Sequence, residues 1–195
     1  MEQAIRPRAI PLDWRLARAD DTELVSACAA NESEAFRELL TRYRRPAVTL
    51  AYQMLGNAED AEDAAQEAFV RVFQSIPDFR GQAAFSTWLY RIVTNLCLGK
   101  MRRDRPSIAL DSVAEPATAD SPARRVTEGL LARDVLARMS PQLRAILLLR
   151  DQEELSYREI SAALNLPLGT VRSRLSKARS AFRRIWNDMS ESRED

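Results

Sequence analysis

The chain has 195 residues, with 29 Lys and Arg against 28 Asp and Glu, a net charge of +1 and no histidine. That length allows one domain or two small ones. The missing histidines exclude the usual zinc spacings and any histidine-dependent acid–base chemistry.

Cys28 and Cys97 are too few and too far apart for a disulfide scaffold. No apolar run approaches the roughly 20 residues needed to span a bilayer. The opening stretch MEQAIRPRAIPLDWRLARADD lacks the apolar core of a secretory signal. The expectation is a soluble, reduced, cytoplasmic protein. Its near-zero net charge conceals segregation, because Glu59, Asp60, Glu62, Asp63 and Glu67 form an acidic stretch while Lys100, Arg102, Arg103 and Arg105 form a basic one. The field at a surface follows that local arrangement, so the overall balance is a weak guide to partners.

Residues 1–20, with Pro7 and Pro11 and no clean period, read as a flexible N-terminal arm. Asp21 is the expected cap of a helix over 22–30 that buries Leu24, Val25 and Cys28. Asn31 and Ser33 mark a break. A second helix reaches Leu55, with Pro46 expected to kink or split it and Gly56-Asn57 to end it. The next helix, 58–76, recurs in small and apolar residues at three- and four-residue intervals: Ala61, Ala64, Ala65, Ala68, Phe69, Val72, Phe73 and Ile76. Its carboxylates admit three readings. Acidic residues in a first turn suit the helix dipole, which explains Glu59 to Asp63 better than Glu67. A carboxylate metal site and an acidic protein-docking face are the other two.

Pro77 to Gln82 reads as a loop, followed by the longest apolar pattern in the chain, 84–103. Phe85 and Trp88 share the phase of Leu89 and Ile92 and are expected to be largely core. Phe79 in the loop and Tyr90 off that phase fit a surface that stacks on unpaired bases, the other possibility being that all four aromatics are core. Residues 104–125, with Pro106, Pro116 and Pro122, cannot sustain a helix and form a linker. Helices resume over 126–139, and Ser140-Pro141 opens another through Asp151.

The stretch Leu155 to Arg184 reads as two helices around a tight turn. Ser156 to Glu159 is a capping box, Asn165 tolerates the left-handed conformation that ends a helix, and Pro167 suits the start of the next. In the second helix Val171, Leu175, Ala178 and Phe182 fall on one face, with Ser173, Ser176, Lys177, Ser180 and Arg184 opposite. Merely solubilising helices usually carry acidic partners at i,i+4, and this basic run has none. A short helix, a turn and a basic helix make a helix-turn-helix for the DNA major groove. The fold class expected is therefore all-α: two small helical domains joined by a Pro-rich linker, the C-terminal one holding the helix-turn-helix.

Taken in order, DAAQEAFVRVF, FRGQAAFSTWLYRIVTN and LSYREISAALNLPLGTVRSRLSKAR resemble an extracytoplasmic-function (ECF) sigma factor, a promoter-specificity subunit of bacterial RNA polymerase. The resemblance implies a division into 21–103 (sigma region 2), the linker 104–125, 126–187 (sigma region 4) and an acidic tail, 188–195. It assigns Asp63, Gln66 and Glu67 to docking on the clamp coiled coil of core RNA polymerase. It assigns Phe79, Arg80, Phe85, Trp88, Tyr90, Arg91, Asn95, Lys100, Arg102 and Arg103 to the −10 element and its melting. Capturing a flipped base there costs a few kcal/mol of stacking and pairing, which a pocket and aromatic platform must offset.

The −35 element falls to Thr170, Arg172, Ser173, Arg174, Ser176, Lys177 and Arg179. Of these, Arg172, Ser173 and Lys177 are the expected base-edge readers, while Arg174 and Arg179 lean toward phosphates, which position the helix without reading sequence. Further implied partners are the polymerase flap, promoter DNA and an anti-sigma factor, which can hold the protein at the membrane. No catalysis, cofactor or metal is expected of the chain itself. Two other classes stay open on residues alone: a helix-turn-helix regulator acting without being a polymerase subunit, and an enzyme using the acidic helix for a metal. The lack of histidine and of a second spaced acidic cluster argues against the latter.

Overall fold

The computed structural model describes residues 16, 18–103 and 128–191. The expected arm and linker thus lie almost wholly outside the described residues, as do the last four residues of the tail. Within them the chain is helical, without strands. The order is α1 (Asp21–Ala29), α2 (Ser33–Leu55), α3 (Ala58–Ser75), a 3-10 turn (Ile76–Asp78), α4 (Phe85–Arg103), α5 (Glu128–Arg138), α6 (Pro141–Asp151), α7 (Tyr157–Leu164) and α8 (Leu168–Glu191).

In the first module, α1 to α4, the cap of α1 is Asp20 rather than Asp21. Asp20 Oδ1 accepts from the Glu23 N–H at 2.8 Å, and the Glu23 carboxylate accepts from the Asp20 N–H at 3.0 Å. A capping box needs its carboxylate three residues on, and only Asp20 has one. Asp21 instead accepts from the Tyr43 hydroxyl. Arg42 fastens the chain ahead of α1 to α2, donating to the Leu16 and Ala19 carbonyls and to Glu38 at 2.8 Å. Those bonds let Glu38, only 8 % exposed, remain in the interior.

α2 runs through Pro46 as one helix. An interior proline costs about 3 kcal/mol, but Ala47, Leu50, Ala51 and Met54 just beyond it are fully buried. At about 1.5–3 kcal/mol for each large side chain, that burial outweighs the lost bond. Gly56, at φ 79, closes α2 in the left-handed region, and Asn57 caps α3 through the Asp60 N–H. The small stripe Ala61, Ala64, Ala65 and Ala68 is buried, which lets α3 pack closely on α2 and α4.

The second module, α5 to α8, surrounds Val135, Met139, Ile146, Leu149, Ile160 and Leu175, all essentially buried. Pro141 opens α6, although the Ser140 side chain makes no capping bond. α8 continues to Glu191, past the point where the sequence suggested a separate tail. The modules touch along a seam in which α2 and α4 meet α5, α6 and α7.

Candidate nucleic-acid interface

The helix-turn-helix is built as its residues dictate. Ser156 Oγ accepts from the Glu159 N–H at 3.3 Å, and Glu159 Oε2 accepts from the Ser156 N–H at 2.8 Å. Those bonds hold the Glu159 carboxyl below the ordinary carboxylate range. Asn165 adopts φ 51, ψ 51 and ends α7. Ser161 then secures the turn by donating from its hydroxyl to the Leu166 carbonyl at 2.5 Å. Val171, Leu175 and Ala178 are buried, which fixes the rotation of α8 about its axis.

That rotation leaves Arg172, Ser173, Ser176, Lys177, Ser180 and Arg184 exposed on one face, with Thr170, Arg174 and Arg179 half-buried at its edges. Ser173 donates to the Thr170 carbonyl at 3.1 Å. Arg179 clamps Asp151 at the end of α6 with two bonds, 2.6 and 3.4 Å. This pairing with Asp151 raises the Arg179 pKa.

α4 carries the second candidate surface. Phe79 lies against Trp88 with ring centroids 4.7 Å apart, and Trp88 meets Phe85 edge-on at 6.0 Å. Phe85 is buried, while Phe79 and Trp88 are half-buried beneath the exposed loop residues Arg80, Gly81 and Gln82. Gly81, at φ 65, bends that loop. Arg91, Asn95, Arg102 and Arg103 are exposed, and Lys100 pairs with Asp60 at 2.5 Å.

Tyr90 differs from the sequence expectation. It is only 7 % exposed, and the Glu153 carboxylate of the second module acts on its hydroxyl. Burial first, then the Glu153 carboxylate, raises the Tyr90 pKa. Burial likewise raises the Glu153 carboxyl, against the influence of the Tyr90 hydroxyl and the bond from Gln152. Tyr90 is off the apolar phase, as the sequence indicates, but its face meets the other module instead of water.

On α3, Asp63, Gln66 and Glu67 are exposed, with Glu67 bonded to Arg71 one turn on at 2.6 Å. The same face continues into Val70 and Phe73, 50 % and 62 % exposed. Phe73 therefore leaves the core it was expected to join. It meets Phe36 edge-on at 5.1 Å above a cleft of about 460 Å³ between α2 and α3. Sequence reasoning missed this apolar extension. The signal was present, because Val70 and Phe73 share the phase of Gln66 rather than that of the alanine stripe.

A model described as Sigma-70 region 2 matches residues 39–106, and one described as Sigma-70, region 4 matches 130–182. The chain is 34% identical over 172 residues to the ECF RNA polymerase sigma factor SigW of Bacillus subtilis, covering 81% of this chain and 92% of that protein. It belongs to the ECF sigma factors. The ECF RNA polymerase sigma-E factor of Escherichia coli is 33% identical over 176 residues, with 83% and 92% covered. The chain is thus an alternative sigma factor, which directs RNA polymerase to promoters.

Two solved structures share the fold. CnrH in complex with the cytosolic domain of CnrY matches with a TM-score of 0.64 at 21% identity, covering 86% of this chain and 97% of that one. The sigma factor RpoE of Bartonella quintana, in complex with the anti-sigma factor NepR, matches with a TM-score of 0.59 at 22% identity, covering 78% and 96%.

Proposed function

We propose that this sigma factor reads promoters in two places and docks through a third. Arg172, Ser173, Ser176 and Lys177 on α8 read base edges of the −35 element, with Thr170 and Arg174 at the border of that face. Arg179 positions α6 and α8 for them through Asp151, and reaches phosphate only when that pair loosens. α4 and the loop before it serve the −10 element. Arg91, Asn95, Lys100, Arg102 and Arg103 follow the strand, while Phe79, Arg80 and Trp88 receive an unpaired base and the buried Phe85 supports them. Asp63, Gln66 and Glu67, extended by Val70 and Phe73, dock on the clamp coiled coil of core RNA polymerase.

The observation that carries this reading is the order of two sigma-70 matches on one chain, each coinciding with an exposed basic helix face. The second module also meets the polymerase flap, and the chain itself performs no chemistry. The relatives whose structures hold CnrY or NepR support an anti-sigma partner for this chain too. No helix among the described residues is long and apolar enough to cross a membrane.

The test is transcription with purified core polymerase and a promoter library. Discrete starts that share upstream motifs are expected, and starts no different from core alone would sink the reading.

A further inference from the structure

Several cations of the two modules have partners of their own. Lys100 holds Asp60 at 2.5 Å and Arg179 holds Asp151 at 2.6 Å, while the buried Arg144 donates to the Ala137 and Met139 carbonyls. Arg102 of α4, exposed, and Arg174 of α8, half-buried, have no ion pair or hydrogen-bond partner among the described residues. They come from different modules, yet both line one cleft of about 140 Å³. No carboxylate lines it. Asn95 of α4 and Gln142 in the first turn of α6 add side-chain amides, and the remaining wall is apolar, with Leu98 and Leu164 in it.

Two like charges around one small space repel, and apolar walls strengthen that repulsion above its value in open water. The same field draws an anion in. The donors select which anion. Each guanidinium is a rigid planar fork that binds two oxygens at once, so two forks from different helices suit four oxygens on one centre. A carboxylate presents two. A phosphoryl group presents four, in a tetrahedron that both forks can share. The amides of Asn95 and Gln142 have donors for the same oxygens. Size agrees: at ~30 Å³ per water-sized atom the cleft holds about five, which is the heavy-atom count of one phosphate.

We propose that this cleft is a phosphoryl-binding site. Arg102 and Arg174 clamp one phosphate group between them, and Asn95 and Gln142 complete its shell. Free pyrophosphate and the terminal phosphate of a nucleotide both present that group. The cleft has no room for more, so the rest of either ligand lies outside it. Occupancy takes one cation from each of the surfaces assigned to the −10 and −35 elements, so the small anion and promoter phosphates compete for the same two guanidinium groups. This competition rests on the proposed reading of α4 and α8, whereas binding of the anion does not.

The experiment is isothermal titration calorimetry of the full chain with sodium pyrophosphate, and separately with ADP, at about 0.15 M ionic strength. The Debye length of about 8 Å under those conditions suppresses attraction by scattered surface cations. One pyrophosphate per chain should bind. Arg102→Gln and Arg174→Gln should each weaken it about tenfold. Neither side chain bonds to another described residue, so both variants should keep the native helical circular dichroism. Arg45→Gln removes the same charge from an exposed position outside the cleft and should leave the affinity unchanged.

Tighter binding of ADP would identify a nucleotide as the source of the group, and tighter binding of pyrophosphate the free anion; either supports the site. No saturable binding of either probe overturns it. So does a loss on replacing only one of the two arginines, or an equal loss in Arg45→Gln. Saturating pyrophosphate should also weaken binding of a −35 duplex. An unchanged duplex affinity overturns the competition but not the site, and a chain that binds the anion and no duplex at all overturns the reading of α8 beneath it.

Discussion

Cys28 and Cys97 show how far burial can set a residue's chemistry. Burial, with Glu32 adding to it, raises the Cys28 thiol from 9.0 to about 11, and burial raises Cys97 to about 12. A group whose folded value lies above its unfolded one stabilises the fold fully below the unfolded value. That stability drains as pH climbs through the folded one. Each thiol therefore costs about 1.4 kcal/mol per pH unit between 9 and its folded value. The urea midpoint should fall from pH 9 upward, and more gently in Cys97→Ala, which has one fewer thiol to ionise. Equal slopes in the two proteins would contradict this.

Lys177 raises a different question at the same scale. Its placement at the centre of the exposed face of α8 predicts that Lys177→Ala weakens a cognate −35 duplex by about 1–3 kcal/mol in competition assays while random duplex loses much less. A uniform loss would move Lys177 among the phosphate contacts. Tyr90 marks the limit of residue-level reading. Its departure from the apolar phase was visible in the sequence, but the partner that covers it, Glu153, is 63 residues away and belongs to another module.

Helices were the most legible level. Capping residues and the 3.6-residue period placed α3, α4, α7 and the start of α8 to within a residue or two, and Asn165 and Gly56 take the left-handed conformation their positions demand. The capping box at Ser156 has consequences beyond its own helix, because it orients the Glu159 carboxylate. Ser156→Ala should cost about 1 kcal/mol of stability, measurable in the urea midpoint. What the pattern could not show is which polar faces are dry. Thr87 and Tyr90 on α4 are buried where groups of the second module, Glu159 and Glu153, come against them.

The reverse holds on α3, where Phe73 reads like core and is exposed. Leaving such a ring in water forgoes about 2 kcal/mol, a cost that fits a surface kept for a partner. Glu67→Lys places a like charge beside Arg71, a small penalty of a few tenths of a kcal/mol on an exposed helix. It should abolish co-elution with core polymerase while leaving the thermal midpoint nearly unchanged. Retained co-elution would refute the docking assignment.

At the scale of the whole molecule, the question is what covalent continuity contributes. Each module has its own capped helices, the buried apolar residues of the two run on as one core, and the two family models match separate blocks, 39–106 and 130–182. The seam between them carries polar bonds, from Thr87 to Glu159 and from Arg133 to the Tyr52 hydroxyl, together with a buried one from Arg144 to the Met54 carbonyl. A tether raises the effective concentration of one module at the other to the order of mM, and cutting it removes that advantage. A protease site placed within 104–127 and then cleaved should therefore leave helical circular dichroism intact while the halves separate on dilution. Promoter-directed transcription should be lost even with both halves present, because two readers on separate chains no longer share one register along the DNA. Loss of helical signal on cleavage would show instead that each module depends on the other to fold. Transcription surviving in the mixed halves would show that the polymerase alone positions the readers.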